Sequence, residues 1–258
     1  MHRTDTTDTA SERRDHHHPA ETKTDSLRGL RVAITGGTSG LGLALVEAFT
    51  RRGAEVAFVA RDGERVQEVA DSHPGSHGIA GDVSKKEQIH PVAMQINASL
   101  GGLDLLVNNA SSLGPVPLAP LADTECEDFE EALATNLLGP FRLTKALLGS
   151  LAATAREGRP AGVIDITSDA ATTPYPGWGA YGASKAALLH MDRIWNEELA
   201  ASGIFVDSFE PGDMDTPLHA AALPEADPAA LKRPAESAAE LLSHLETRME
   251  TAATEVAP

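Results

Sequence analysis

Tyr181 and Lys185 form the residue pair with the clearest capacity for chemistry. They lie four residues apart at the start of a run, Ala180 to Ala201, whose pattern predicts a helix. This spacing places both side chains on one helix face, one turn apart. A tyrosine ionises near pH 10, and an ammonium group about 4 Å away can stabilise its phenolate by about 4 kcal/mol. The pair could therefore act as a general acid and base, although the same spacing also arises by chance on many helices.

Ser168 and Asn136 are two further polar residues at positions that a ligand could reach. Ser168 directly follows Gly162 to Thr167, an apolar run that predicts a strand. The carboxyl ends of parallel strands border the ligand crevice, so Ser168 could hydrogen-bond the same substrate oxygen as the tyrosine. Asn136 precedes a Gly-Pro step that predicts a kink in a long helix, Phe129 to Ala155. Either residue could instead be structural, Ser168 as a helix cap and Asn136 as an inward-facing polar group.

A glycine-rich turn links the first predicted strand, Val32 to Thr35, to the first predicted helix, Leu41 to Arg52. Such a turn lets a ligand approach the backbone, and the helix that follows directs free N–H groups at an anion. A dinucleotide pyrophosphate is the anion that this arrangement favours. A turn without a ligand is the alternative, whereas a P-loop is excluded because no Gly-Lys-Ser/Thr sequence follows. The predicted contacts are Gly36, Thr38, Ser39, Gly40, Leu41 and Gly42.

The end of the second predicted strand, Val56 to Val59, indicates which dinucleotide would bind. An acidic residue at this point pairs with the free ribose 2′-hydroxyl of NAD, whereas an arginine suits the 2′-phosphate of NADP. Here the chain reads Ala60-Arg61-Asp62. Ala60 offers no carboxylate and Arg61 carries a permanent, forked cation, so we expect NADP(H) to be favoured over NAD(H). The alternative is that Asp62 caps the next helix and Arg61 is only solvated.

Short apolar runs alternate with helical stretches along the rest of the chain. Strands that are apolar on both faces, alternating with amphipathic helices, predict an α/β fold with a doubly wound parallel sheet and helices on both faces. We expect six strands and no seventh, because no β-like run follows Pro211. We expect one domain over residues 27–250, between a polar, disordered extension (1–26) and a frayed tail (251–258). The further strands are predicted at Gly78–Ala80, Leu103–Val107 and Ile204–Phe209, and the further helices at Glu64–Ala70, Lys85–Leu100, Thr216–Leu223 and Ala235–Glu250.

The balance of charges limits the kinds of partner. The 258 residues include 38 acidic and 21 basic side chains, for a formal net charge of −17. Nucleic acid and anionic membrane surfaces are therefore unfavourable partners, and no apolar run is long enough to span a bilayer. The single cysteine, Cys126, cannot form an internal disulfide and is typical of a reducing compartment, so we expect a cytoplasmic protein. The histidines at 16–18 lie in the polar extension and form no preorganised metal site.

Together, these motifs resemble those of the short-chain dehydrogenase/reductase family, in its single-domain branch. The turn from Thr35 to Gly42 matches the family's Thr-Gly-x-x-x-Gly-x-Gly motif, and the four candidates for chemistry match its catalytic Asn, Ser, Tyr and Lys. The matches run in order as far as Thr216, and their joint occurrence is specific although each alone is not. Ser111 stands where the family usually has a glycine, a change expected to matter little. The resemblance adds cofactor contacts at Asp82, Val83, Asn109, Ala110, Pro211, Gly212 and Thr216.

The resemblance implies an oxidoreductase in which a hydride passes between NADP(H) and the carbon of a carbonyl or alcohol group. Tyr181 would exchange the proton, Ser168 would hold the substrate oxygen, and Lys185 would lower the pKa of Tyr181 and bind the nicotinamide ribose. Tyr181 would also contact the cofactor, and Asn136 would hold a water that connects Lys185 with solvent. No metal is required. The alternatives are a catalytically silent NADP(H)-sensing protein, and an epimerase or dehydratase of the same fold.

The resemblance also suggests the substrate and the assembly. The segments expected to line a substrate pocket include Leu113, Val116, Tyr175 and Trp178, which favour a moderately hydrophobic ketone or secondary alcohol. In the family, one subunit interface uses a seventh strand, which this sequence lacks. We therefore expect a homodimer through the other common interface, formed by the helices at 129–155 and 180–201.

Overall fold

The computed structural model describes residues 27–255 of the chain, with side chains described as far as residue 249. The extension at 1–26, predicted to be disordered, and the last three residues of the predicted tail lie outside the described residues. Residues 251–255, which the sequence prediction assigned to the tail, continue the last helix. They contain two alanines and neither glycine nor proline, so nothing in their sequence ends the helix earlier.

One parallel sheet forms the centre of the described chain. Its strands are β1 (Arg31–Thr35), β2 (Glu55–Ala60), β3 (Ser76–Ala80), β4 (Leu105–Asn108), β5 (Ala161–Ile166) and β6 (Ile204–Phe209). They lie in the order β3-β2-β1-β4-β5-β6, and residues 27–255 contain no seventh strand. Strands are added in opposite directions on either side of β1 and β4, which opens a ligand crevice at their carboxyl ends. The predicted doubly wound fold is confirmed.

The helices of the described chain cover both faces of this sheet. They are α1 (Gly40–Arg51), α2 (Gly63–Ser72), α3 (Lys86–Leu100), α4 (Cys126–Leu133), α5 (Gly139–Arg156), α6 (Gly179–Leu199), α7 (Pro217–Ala222) and α8 (Pro234–Glu255). On one face, α1, α2 and α8 pack around Phe49, Phe58 and Leu241. On the other face, α3 and α5 pack around Ile96 and Leu147. Because both faces are buried, the central strands carry apolar side chains on both sides.

The long helix predicted from Phe129 to Ala155 is divided in two by a π-helical segment, Ala134–Leu138, that separates α4 from α5. The Gly139 N–H donates to the carbonyl of Ala134, five residues earlier. Pro140 has no N–H to continue the α-helical pattern at this point. The expected kink therefore takes the form of a π-helical turn, and Asn136 lies fully buried within it.

At the amino end of β1 and β4, a buried carboxylate is held by two arginines. Asp104 is 3% exposed, and its oxygens accept hydrogen bonds from the Arg31 N–H (2.8 Å), Arg31 Nη2 (2.7 Å) and Arg159 Nη1 (2.5 Å). Burial alone would raise the pKa of Asp104, but the hydrogen bonds and charges of the arginines outweigh it and lower that pKa. Arg31 Nη2 also donates to Thr154 Oγ1 at 2.9 Å, so the cluster ties the strands to α5.

Candidate active site

A cleft of about 830 Å³ opens where β1, β2, β4, β5 and β6 end. Nearly all of the residues proposed from the sequence line it. Asn136 and Gly42 do not: both are buried behind the cleft wall. The predicted residues that line the cleft are Gly36, Thr38, Ser39, Gly40, Leu41, Arg61, Asp82, Val83, Asn109, Ala110, Ser168, Tyr181, Lys185, Pro211, Gly212 and Thr216.

The glycine-rich turn is tightly packed and leaves its backbone open to the cleft. Gly36 has a φ of +73°, and a Cβ there would lie 2.9 Å from Asn109 Nδ2. A Cβ on Gly42 would overlap the Gly36 carbonyl oxygen, so only glycine fits at that position. Ser39, at the N-cap of α1, makes no side-chain capping bond, which leaves the first N–H groups of the helix available to an anion. The turn therefore fits the pyrophosphate of a dinucleotide.

The turn is fixed to the end of β4 by reciprocal hydrogen bonds. Thr35 Oγ1 accepts from the N–H groups of Asn109 and Ala110, both at 3.0 Å. Asn109 Nδ2 donates to the Thr35 carbonyl at 2.9 Å and to that of Gly36 at 3.3 Å. The side chain of Asn109 therefore acts by holding the turn in place, whereas Ala110 presents its small side chain to the cleft.

Three adjacent residues at the end of β2 have different roles. Asp62 Oδ1 accepts from the N–H groups of Glu64 (3.0 Å) and Arg65 (3.1 Å), so its carboxylate caps α2. Arg61 is exposed at the edge of the cleft, and within the described chain no carboxylate lies at ion-pair distance from it. Ala60 adds only a methyl group. The guanidinium of Arg61 is thus available to a ligand in the cleft, whereas the carboxylate of Asp62 is already used to cap α2.

Three further predicted contacts are held by local hydrogen bonds. Asp82 Oδ1 accepts from the N–H (2.9 Å) and the hydroxyl (2.7 Å) of Ser84, which fixes the loop that carries Val83. Gly212 has a φ of +77°, which favours glycine, and its N–H donates to Glu210 Oε1 at 2.7 Å. Thr216 Oγ1 accepts from the N–H at position 219 at 3.2 Å and caps α7. These residues shape the wall of the cleft through the loops they stabilise.

Tyr181 lies at the inner wall of the cleft and is 7% exposed. The ring of Trp178 meets its ring edge to face, with centroids 5.7 Å apart, and its hydroxyl group interacts with the side chains of Ser168 and Ser111. Burial raises the pKa of Tyr181, and these two serine hydroxyls only partly offset the effect. The expectation that this pKa is lowered is therefore wrong for this structure.

Lys185 is itself deeply buried beside this tyrosine. Its side chain is 2% exposed, and Nζ donates to the carbonyl of Ile166 at 2.7 Å. Nζ lies over the Tyr181 ring, 5.7 Å from its centroid. Burial lowers the pKa of Lys185 to about 8, against the opposing charges of Asp165 and Asp192. Lys185 is therefore a buried ammonium that gives up its proton more easily than an ordinary lysine.

Ser168 caps a short turn and also lines the cleft. Its Oγ accepts from the N–H of Ala170 at 3.2 Å and so caps a short 3₁₀ turn. The same hydroxyl donates to Asp169 Oδ1 at 3.1 Å and lines the cleft beside Tyr181. Asp169 Oδ2 in turn accepts from the Tyr175 hydroxyl at 2.7 Å. The cap thus fixes the serine hydroxyl at the wall of the cleft.

Asn136 uses every polar atom of its side chain inside the protein. Oδ1 accepts from the Ser112 N–H (2.8 Å) and from Ser111 Oγ (3.2 Å). Nδ2 donates to the Ser112 carbonyl and to Ser184 Oγ, both at 2.8 Å. The predicted water could therefore not be held by this side chain, whose position instead joins the loop after β4 to α6. The side chain of Asn136 is therefore a positioning group.

Sequence reasoning gave too little weight to three residues. Ser111, expected to matter little, places its hydroxyl against both Tyr181 and Asn136. Asp165 and Asp192 lie buried near Lys185 and were not considered. The sequence did contain a signal for these two aspartates, because each is a carboxylate at an otherwise apolar position. Asp165 lies within the apolar strand β5, and Asp192 lies on the buried face of α6.

Comparisons with known proteins agree with this architecture. The family model of the short chain dehydrogenases matches residues 31–227. A short chain dehydrogenase of Pseudocercospora fijiensis is 34% identical over 201 residues, which are 75% of this chain and 62% of that protein. The chain thus spans less than two thirds of that relative's length.

Two solved structures are also similar. The 3-ketoacyl-(acyl-carrier-protein) reductase from Brucella melitensis, complexed with NADH, has a TM-score of 0.78 at 27% identity and covers 85% of this chain and 91% of its own. A short chain dehydrogenase from Burkholderia cenocepacia, in complex with NADP, has a TM-score of 0.75 at 26% identity with the same coverage of both chains. Within residues 27–255, no helix is long and apolar enough to cross a membrane. The chain belongs to the short-chain dehydrogenase/reductase family of oxidoreductases.

Proposed function

We propose that the protein transfers a hydride between NADP(H) and the carbon of a ketone or secondary alcohol, with Tyr181 as the acid and base. The observation that carries this proposal is the common location of three groups. The hydroxyls of Tyr181 and Ser168 and the buried ammonium of Lys185 border the same cleft as the glycine-rich turn. A phenol, a hydroxyl donor and a cation beside a dinucleotide cradle are suited to carbonyl reduction.

In the reductive direction, Tyr181 gives its proton to the carbonyl oxygen of the substrate while the carbonyl carbon becomes an alcohol carbon. The dinucleotide, when bound, supplies the hydride. The raised pKa of Tyr181 keeps its hydroxyl protonated at neutral pH, as a proton donor requires. Ser168 hydrogen-bonds the same substrate oxygen, and the ammonium of Lys185 stabilises the phenolate that remains. Trp178 covers one side of the tyrosine ring and limits the access of water.

Arg61 supports a preference for NADP(H) over NAD(H). Its guanidinium is free to meet a 2′-phosphate, whereas the carboxylate of Asp62 is used to cap α2 and Ala60 has none. Solved relatives are described with NADH in one case and with NADP in the other. The preference proposed for this chain therefore depends on its own residues at the end of β2.

The other half of the cleft supports a moderately hydrophobic substrate. Leu113, Val116, Tyr175 and Trp178 line it, and the carboxylate of Asp169 is already bonded by two hydroxyl groups. A ketone with an apolar or aromatic substituent would bury that substituent against this wall.

We also propose a cytoplasmic homodimer that associates through α4, α5 and α6. Leu138 and Ile194 are exposed on this surface, where Phe141 stacks on Trp195 with ring centroids 6.0 Å apart. Exposed apolar groups that lie close together favour association. The single cysteine supports a reducing compartment. Light scattering coupled to size-exclusion chromatography should give twice the monomer mass, and Ile194→Glu should reduce it.

A panel of ketones and aldehydes, each incubated with NADPH and in parallel with NADH, tests the activity. The absorbance of the reduced nicotinamide should fall with apolar ketones and fall faster with NADPH. Tyr181→Phe is the control for any background reaction. Turnover that is absent with every carbonyl, in either direction and with either cofactor, would contradict the proposed function, while binding of NADPH without turnover would favour the silent sensor.

A further inference from the structure

Next to Lys185 lies a group of buried polar side chains that the proposed reaction does not use. Asp165 on β5 is 1% exposed, and Asp192 on α6 is 2% exposed. Asn108 Nδ2 donates to Asp165 Oδ1 at 2.6 Å, and Ser208 Oγ donates to Asp192 Oδ2 at 2.5 Å. Ser208 is the partner of Asp165 in the sheet, so its bond to Asp192 brings the two carboxyl groups together, and both act through their charge on Lys185. Three titratable groups thus share one buried space.

The two aspartates cannot both be ionised in this environment. Burial raises the pKa of each carboxyl group, and two like charges in contact disfavour the doubly ionised form. Because the pKa of both carboxyl groups is raised by burial, the pair retains a proton at neutral pH. Asp192 Oδ1 has no hydrogen-bond partner among the described residues. An oxygen in that situation is better suited to a neutral carboxyl group than to a carboxylate.

The geometry connects this pair to Lys185. Lys185 and Asp192 lie two turns apart on the buried face of α6, and Lys185 Nζ donates to the carbonyl of Ile166, the residue after Asp165. The side chains that hydrogen-bond the pair are uncharged and come from neighbouring strands: Asn108 of β4, which also bonds Thr144 of α5, and Ser208 of β6. The negative charge that compensates the buried ammonium therefore comes from the pair itself.

We propose that Asp165 and Asp192 form a buried acid pair that retains one proton at neutral pH and keeps the ammonium of Lys185 charged beside Tyr181. The aspartates touch neither the substrate nor the cofactor site, and their role is to position the charge. No proton leaves the pair during turnover. The consequence for catalysis rests on the proposed function, but the protonation of the pair is a property of the folded chain alone.

NMR of the protein without substrate or cofactor tests the pair directly. The chain is labelled with ¹³C at the aspartate carboxyl carbons and at the lysine ε-carbons. One aspartate should keep the chemical shift of a neutral acid from about pH 5 to about pH 8, well above the ordinary aspartate pKa, and this resonance should disappear in Asp192→Asn. The Lys185 resonance, assigned by its loss in Lys185→Met, should titrate at about pH 8. Full ionisation of every aspartate at neutral pH would overturn the proposal.

The second test removes the negative charge. In Asp165→Asn/Asp192→Asn, the titration midpoint of Lys185 should fall by about 1–3 pH units, and the alkaline limb of kcat should move with it. Each single substitution, which leaves one carboxyl group, should give a smaller shift. Asp207→Asn is the matched control, because Asp207 lies on β6 but pairs with His244 of α8 at 2.8 Å; it should leave both midpoints unchanged.

The outcomes separate this proposal from the proposed function. An unchanged Lys185 midpoint in the folded double variant would contradict the acid pair even if turnover is normal. If the double variant does not fold, the wild-type carboxyl resonances decide the question. A wild-type protein that shows the neutral aspartate but has no turnover would support the acid pair and refute the reductase.

Discussion

The two ends of the central sheet treat buried charge in opposite ways. At the amino end, the carboxylate of Asp104 meets two guanidinium groups at hydrogen-bond distance, and its pKa is lowered. At the carboxyl end, Lys185 bonds a carbonyl oxygen, and within the described chain no carboxylate lies at ion-pair distance from Nζ. Burial there lowers the pKa of Lys185 and raises that of Tyr181.

This difference in charge compensation gives the amino end of the sheet a role in stability and the carboxyl end a role in chemistry. A buried charge that is fully paired resists any change in its protonation and holds elements together, whereas an incompletely compensated charge exchanges its proton at moderate pH. The amino end therefore secures β1 and β4, and the carboxyl end keeps groups whose protons can move. Substitutions at the two ends should consequently act on different measurements.

The largest effect is expected from Lys185→Met, which removes the charge at the carboxyl end and keeps the length of the side chain. Turnover should fall by about 10²- to 10⁴-fold, because the phenolate of Tyr181 loses its stabilising cation. Steady-state kinetics on the purified variant, with circular dichroism to verify folding, measures the effect. Asp104→Asn is the control for the loss of a buried charge elsewhere. A kcat within about threefold of that of wild type would contradict the proposed difference between the two ends of the sheet.

Asp104→Asn should have the opposite effect to Lys185→Met: the protein should lose stability but keep normal turnover while it remains folded. Removing the carboxylate leaves two arginines facing each other, at a cost of about 3 kcal/mol in the free energy of unfolding, the low end for a broken buried pair because both guanidinium groups still reach water. Urea unfolding at neutral pH measures it. Because the folded pKa of Asp104 is lowered, this contribution is present above the ordinary carboxyl pKa and is lost as the pH falls through the folded value. The two proteins should therefore converge in acid, and a constant difference across that range would contradict the ion-pair account.

Arg61→Ala removes the exposed charge that we propose binds the 2′-phosphate of NADP(H). The dissociation constant for NADPH should rise by about tenfold, while that for NADH should change little, since only NADPH carries the 2′-phosphate. Calorimetric titration of both dinucleotides gives the two constants. Arg65→Ala is the matched control, because Arg65 pairs with Glu68 on the surface of α2 at 3.2 Å. Equal weakening of both cofactors by Arg61→Ala would remove the selectivity argument.

The smallest effect concerns the pH dependence of stability at the carboxyl end. The raised pKa of Asp192 means that the folded protein retains a proton that the unfolded chain releases. Its contribution to the free energy of unfolding therefore falls as the pH rises above the ordinary carboxyl pKa, the opposite sign to Asp104. Asp192→Asn cannot titrate at this position, so its stability should fall less steeply with rising pH and exceed that of wild type at mildly alkaline pH. A steeper decline in the variant would contradict the assignment.

The sequence predicted those parts of the site that depend on local pattern. The glycine-rich turn, the position of Arg61 and the one-turn spacing of Tyr181 and Lys185 all follow from strand and helix periodicity, and the cleft contains each of them. The absence of a seventh strand from residues 27–255 was likewise predictable, because no β-like run follows Pro211.

Properties that depend on long-range packing were not predictable in the same way. Periodicity placed Asn136 near a kink, but it gave neither the π-helical segment nor the four hydrogen bonds that its side chain makes with the loop after β4 and with α6. The pKa of Tyr181 was assigned the wrong direction because spacing gives the face on which Lys185 lies, but neither the depth of burial nor the carbonyl that its ammonium bonds. Asp165 and Asp192 belong to different elements, and only the folded chain brings them together.

The central claim is that the hydroxyl of Tyr181 delivers the proton in a cleft that binds the dinucleotide independently of it. The most direct measurement is a single-turnover experiment with Tyr181→Phe, loaded with NADPH and mixed with a ketone that the wild-type protein reduces. We expect the rate of NADPH oxidation to fall by about 10²- to 10⁴-fold, with a calorimetric dissociation constant for NADPH close to that of wild type. A single-turnover rate near that of wild type would contradict the account.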